Sequence, residues 1–248
     1  MEITTQRMTT PEGVGGYLAY PAGQKSPAVV VQFEAFGLNS HFEDVCRRIA
    51  GEGYVALAPD YYWRLEKRTA PYSDLPAALG LLGSLKDDEA MTDAGSCIRY
   101  LKSQSFAEGD AIATLGFCMG GRLSVLIAES HPKDISAAVS FYGGGLAGEN
   151  RRGAQTLNSM EEAAKLQCPV LLFYGGRDRF IQPEHVASFT GKLNELGKNF
   201  QHTVYPDSDH GFFCNERGSY NAEAAQDAWE KTKNFLEANL KRAKAGVR

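Results

Sequence analysis

Apolar residues in this chain cluster in short, nearly unbroken runs, at residues 28–33, 54–58, 111–115, 135–142 and 168–174. Runs of this length without polar alternation predict strands buried on both faces of a sheet. Residues 16–21 read as an early edge strand stopped by Pro21, and residues 200–205 as the last strand. The segments between them carry apolar positions at helical spacing. Residues 42–49, 87–104, 122–128, 183–196 and 222–245 predict helices, with Ala94, Cys97, Ile98 and Leu101 forming one stripe on the second. Gly51 and Gly197 close the first and fourth of these. Residues 61–85 mix aromatics, charges and prolines and predict an excursion over the sheet edge. Residues 146–166 are irregular, with a short helix expected over 159–166. Strands alternating with helices predict an α/β protein: a mostly parallel central sheet with helices on both faces. No repeat, low-complexity tract or linker interrupts residues 1–248, so a single domain is expected.

Composition narrows the function. The chain is 43% hydrophobic and 23% charged, ordinary for a globular protein. A net charge of −4 argues against nucleic acid as a partner. The basic residues Lys241, Arg242, Lys244 and Arg248 fall where they would complement the end of the last helix or fray in solvent. Five cysteines, an odd number with no C-x-x-C pair, predict neither a disulfide framework nor a zinc site. The start lacks a signal-peptide pattern, and no apolar run reaches membrane-spanning length. A cytoplasmic, reduced protein is expected, with a small-molecule substrate, no membrane partner and no cofactor or metal. Either a monomer or a homodimer is compatible with the sequence.

Gly116-Phe117-Cys118-Met119-Gly120-Gly121 stands between a strand and a helix. This is a nucleophile-elbow pattern, G-x-S-x-G, with cysteine for serine. Such a turn exposes the central side chain at a helix N-terminus, where dipole and free N–H groups favour a thiolate. A small core cysteine in a glycine-rich turn is the alternative. Open parallel sheets keep their chemistry at the carboxyl ends of strands. Asp178 follows one such end in Gly175-Gly176-Arg177-Asp178, and His210 follows another in Asp207-Ser208-Asp209-His210-Gly211-Phe212. The chain order nucleophile, acid, histidine is that of α/β-hydrolases. His210 would move the Cys118 proton, and Asp178 would orient the imidazole. Read singly, Asp178 is equally a turn-former and His210 a loop histidine. Asp207 and Asp209 read as solvated loop charges.

With these residues assembled, the chain resembles the dienelactone hydrolase (carboxymethylenebutenolidase) family over nearly its whole length. The resemblance rests on Gln32-Phe33-Glu34-Ala35-Phe36-Gly37-Leu38-Asn39, Ala58-Pro59-Asp60-Tyr61, the elbow, Tyr142-Gly143, Gly175 to Asp178 and His210-Gly211-Phe212. It implies an α/β-hydrolase fold and a Cys118, Asp178 and His210 triad. It also implies that Glu34 is an accessory carboxylate touching the resting thiol. The backbone N–H groups of Ala35 and Met119 would form the oxyanion hole. The expected reaction is hydrolysis of an activated ester or lactone through a cysteine thioester. Thioesterase or acyl-transfer chemistry on the same triad, or a non-catalytic redox or binding role, are the alternatives. The chain departs from the family where two arginines bind a substrate carboxylate. Cys214 stands at one matching position, Arg217 lies three residues on, and Arg68 is the arginine nearest the other. A more apolar pocket is therefore expected, lined by Phe36, Tyr61, Trp63, Tyr142 or Phe212.

Overall fold

The structure, a computed structural model, describes residues 1–149 and 156–241. Its frame is an eight-stranded sheet built from β1 (Ile3–Thr9), β2 (Gly15–Pro21), β3 (Ser26–Gln32), β4 (Val55–Pro59), β5 (Ala107–Phe117), β6 (Ala137–Phe141), β7 (Val170–Gly175) and β8 (Phe200–Tyr205). Their order across the sheet is β1-β2-β4-β3-β5-β6-β7-β8. β1 pairs antiparallel with β2 and β2 with β4, while every pairing from β4 to β8 is parallel. β3, β4, β6 and β7 are buried at every residue, which accounts for their unbroken apolar sequences.

The strand expected at the sheet edge, β2, lies one place inside it. β1 flanks it, with Ile3 opposite Pro21 and Thr9 opposite Gly15. The sequence of β1, Ile-Thr-Thr-Gln-Arg-Met-Thr, buries only Met8 and presents Arg7 outward to Glu43. An edge strand needs charge and polarity on its open side, and that same polarity hides it from an apolar-run reading.

Helices cover both faces. α3 (Asp87–Ser103) and α4 (Met119–Ser130) pack on one another against the central strands. α1 (Ser40–Gly51) and α7 (Ala222–Leu236) meet through Arg48, whose guanidinium lies over the Trp229 ring. Asn39 caps α1 by accepting from the Phe42 N–H, and Asn221 caps α7 in the same way from Ala224. The 61–85 excursion contains a further helix, α2 (Leu75–Ser84), capped by Asp74. α5 (Ser159–Glu162) runs into a short 3-10 turn over Ala163–Lys165, and α6 (Pro183–Glu195) follows β7. The last helix was expected to reach residue 245. α7 passes into a π turn at Glu237–Lys241, and residues 242–248, with most of the basic cluster, lie outside the described residues. Lys241 itself donates to the Glu52 carbonyl and lies over the Tyr54 ring.

Candidate active site

β5 delivers Cys118 to the carboxyl edge of the sheet, and α4 starts at the next residue. The turn between them is sharp enough to hold Cys118 at φ 57° and ψ −119°. A non-glycine residue there costs on the order of 1–3 kcal/mol, so surrounding structure must impose it. Cys118 N–H donates to the Phe141 carbonyl at 2.9 Å, and its own carbonyl accepts from Arg122 at 3.2 Å. The glycines of the motif have a steric reason. A Cβ at Gly116 would strike the Gly120 carbonyl, one at Gly120 the Gln32 carbonyl, and one at Gly121 the Phe141 carbonyl. Strand and helix can approach this closely only without those side chains.

Cys118 is half-buried, whereas Cys46, Cys97, Cys168 and Cys214 are buried. Burial pushes all four of those thiols above the ordinary range, Cys214 to about 11 and Cys168 to about 12. The least buried thiol is thus the one on the elbow.

Asp178 sits in the turn after β7 and is buried. Its Oδ1 accepts from the Phe180 N–H at 2.8 Å and the Ile181 N–H at 3.1 Å. Its Oδ2 meets His210 Nδ1 at 2.7 Å. One carboxylate therefore shapes the turn and orients the histidine. His210 lies in the loop after β8, its ring between Tyr142 at 5.1 Å and Phe180 at 5.2 Å. Burial works against the imidazolium. The Cys118 charge, the Asp178 hydrogen bond and a hydrogen bond to Cys118 outweigh it and raise His210 to about 10. Asp207 and Asp209, within three residues of His210, are exposed, and Asp207 pairs with Arg177.

Glu34, just past the end of β3, is fully buried. Its Oε1 accepts from Tyr142 Oη at 3.1 Å and from Arg217 Nη1 at 3.1 Å, while Oε2 has no hydrogen-bond partner among the described residues. Tyr142 reaches Glu34 from a strained backbone, φ 40°, immediately after β6. Arg217 passes against Gly211, where a Cβ would collide with its guanidinium and where φ is 82°. The glycine after the histidine thus makes room for the arginine and adopts a conformation other residues resist.

These groups meet at a cavity of about 210 Å³. Cys118, His210, Ala35, Met119, Arg217 and Phe36 line it. Arg122 and Arg179 also reach it. The more apolar pocket expected from the sequence therefore also carries three arginines in its lining. Arg217 reaches the cavity from three residues beyond the expected position, and Arg179 comes from the turn that carries Asp178. Arg68 pairs with Asp60 instead, and Cys214 is buried beside Tyr72.

Of the aromatics expected in the pocket, Phe36 lines the cavity and the others do not. Tyr61 is buried and donates to Gln32, and Trp63 donates to Asp93 at 3.1 Å. Tyr142 and Phe212 are fully buried behind His210, 5.3 Å apart. A residue the sequence reading passed over, Tyr62, donates to the Ala35 carbonyl and contacts the Met119 sulfur, both at 3.3 Å. Its position, next to the Ala58-Pro59-Asp60-Tyr61 stretch, was the available signal.

A sheet of this order, with an elbow at the end of β5 and an acid and a histidine after β7 and β8, is an α/β-hydrolase fold. The sequence model of the "Dienelactone hydrolase family" matches residues 14–240. A Synechocystis protein named "Putative carboxymethylenebutenolidase" is 34% identical over 97% of this chain and 99% of its own length. An Escherichia coli protein of the same name is 34% identical over 83% of this chain and 74% of its own. The crystal structure named "Putative Dienelactone Hydrolase" from Klebsiella pneumoniae superposes with a TM-score of 0.87 at 30% identity, covering 95% of this chain and 99% of that one. A dienelactone hydrolase-like promiscuous phosphotriesterase from metagenomic libraries shares the fold, with a TM-score of 0.81 at 24% identity over 96% of this chain and 99% of its own. The chain belongs to the dienelactone hydrolase family and is a carboxylic ester hydrolase. Among the described residues no helix is long and apolar enough to cross a membrane.

Proposed function

We propose that the chain hydrolyses activated carboxylic esters or lactones through a thioester on Cys118. The observation that carries this reading is the His210 imidazole, held by Asp178 at 2.7 Å through Nδ1 and lining the same cavity as Cys118. The Cys118 thiolate attacks the carbonyl carbon, and the carbonyl oxygen becomes an oxyanion. Met119 is the first residue of α4, so its N–H has no intrahelical acceptor and is available to that oxygen with the Ala35 N–H. Collapse breaks the bond to the leaving alkoxide or enolate, which takes the His210 proton. His210 then removes a proton from water, whose oxygen attacks the thioester, and the carboxylic acid leaves as Cys118 regains its thiolate.

A thiolate suits good leaving groups such as enols and phenols. Glu34 sits beside the site through Arg217 and Tyr142, and its Oε2 makes no hydrogen bond to Cys118 or to any other described residue. A substrate carboxylate would compete with Glu34 for Arg217. Free thiols throughout the chain fit a reducing, cytoplasmic setting.

The test is a panel of p-nitrophenyl acetate and dienelactones on the wild type and Cys118→Ala. Turnover of at least one class by the wild type, abolished in the variant, is expected. A wild type inert on both ends the proposal. Iodoacetamide supplies a second readout, since Cys118 should alkylate ahead of the four buried thiols near neutral pH.

A further inference from the structure

α2 has no charged residue: Leu75–Ser84 reads Leu-Pro-Ala-Ala-Leu-Gly-Leu-Leu-Gly-Ser. Only Ala78 and Leu81 of it are buried. A surface helix ordinarily turns polar residues outward, and this one does not. Leu75, Leu79 and Leu82 stand at i, i+4 and i+7, so they form one stripe about 10 Å long. All three line the cavity that holds Cys118. Phe180 and Ile181, from the turn after Asp178, line the same cavity.

Leu75 is 44% exposed and Phe180 51%. Two of the few large apolar side chains exposed among the described residues therefore belong to one cavity lining. Single exposed apolar residues need no explanation, but apolar residues gathered on a concave surface mark a binding site. Two of the three arginines at the cavity are engaged elsewhere, while Arg179 stands beside Phe180 at its rim. Arg122 is bidentate to the buried Asp87, and Arg217 is paired with Glu34. What α2 and the 180–181 turn offer a ligand is apolar contact.

We infer that this groove is a subsite for an apolar arm of the ester, an alkyl or aryl group several carbons long. The preferred substrates are then amphipathic esters, not small polar lactones. The inference rests on the hydrolase reading of Cys118 and adds the class of group that reading leaves open.

A methylene transferred fully from water is worth about fourfold in kcat/KM. An open groove covers roughly half of each, so about twofold per methylene is expected, and on the order of 60-fold from acetate to octanoate. Two series test this below their aggregation limits: p-nitrophenyl esters from acetate to octanoate, and phenyl acetates carrying 4-alkyl chains of increasing length. One of the two should climb, and which one climbs says whether the acyl or the leaving group lies along α2. Leu79→Asp and, independently, the more exposed Leu75→Ser should lower the long-to-short ratio of that series by at least about tenfold for the first and a few-fold for the second. Both series flat within threefold, with acetate still turned over, overturns the subsite and leaves the hydrolase reading standing. A wild type inert on every ester of both series defeats the hydrolase reading and the subsite with it.

Discussion

Asp178→Asn isolates the orienting role of the carboxylate, because the structure dictates which way the new amide must face. Oδ1 accepts from the N–H groups of Phe180 and Ile181, at 2.8 and 3.1 Å, so the amide oxygen is required there. The opposite flip would set an NH₂ against two N–H donors, losing two hydrogen bonds at about 1 kcal/mol each and leaving the donors unsatisfied. The amide NH₂ therefore replaces Oδ2, opposite His210 Nδ1. Nδ1 must then accept, which moves the imidazole proton to the nitrogen facing Cys118. That tautomer cannot take a thiol or water proton. A wrong tautomer costs about 10⁴-fold in the serine-histidine-aspartate case, and roughly 10³- to 10⁴-fold in kcat/KM, or about 4–5.5 kcal/mol, is expected here. The assay is hydrolysis of the best ester from the panel above, with thermal melts beside it. Asp178→Asn keeps both turn hydrogen bonds and should melt close to the wild type, whereas Asp178→Ala loses them and should melt lower. A loss in the Asn variant below tenfold would refute the orienting role and return Asp178 to a turn-former.

Two further outcomes follow from the same contacts. Asp87 is fully buried, holds both Arg122 Nη atoms at 2.7 and 2.9 Å and accepts from the Leu157 N–H at 2.8 Å. Asp87→Ala strands a buried guanidinium and should cost about 3–5 kcal/mol, read as a lower urea midpoint at unchanged m and a Tm drop on the order of 10 °C; a loss under about 1 kcal/mol would contradict it. His210 is raised to about 10 despite its burial, so its imidazolium should persist through neutral pH and titrate near pH 10 by NMR. Cys118→Ala removes the negative charge that attracts this proton most strongly, so the midpoint should fall; an unchanged midpoint would show that the thiolate does not hold the proton.

The buried strands were legible in the sequence because burial on both faces leaves nothing but apolar side chains, and β3, β4, β6 and β7 each show this. Cys118, Asp178 and His210 were legible for a related reason. Each stands a few residues past the end of its own strand, and a parallel sheet brings such ends to one edge whatever the loops do. β1 was not legible, since its register with β2 is set by pairing and its side chains are those of a polar edge.

The pocket is where sequence position stopped predicting place. Arg217 meets Glu34 across 183 positions of chain, and nothing local to either residue signals the pair. Arg217 reaches the cavity because Gly211 leaves it space, while Tyr61, Trp63 and Phe212 are carried away from it by hydrogen bonds and packing to Gln32, Asp93 and Tyr205. The leucines of α2 read as a loop excursion until the helix placed them, four and three residues apart, along one side of the cavity. Periodicity and turn chemistry act over a few residues and suffice to place Cys118, Asp178 and His210 at strand ends. Which side chains surround a substrate depends on how separate loops pack over that edge, and that is decided only when the whole chain has folded.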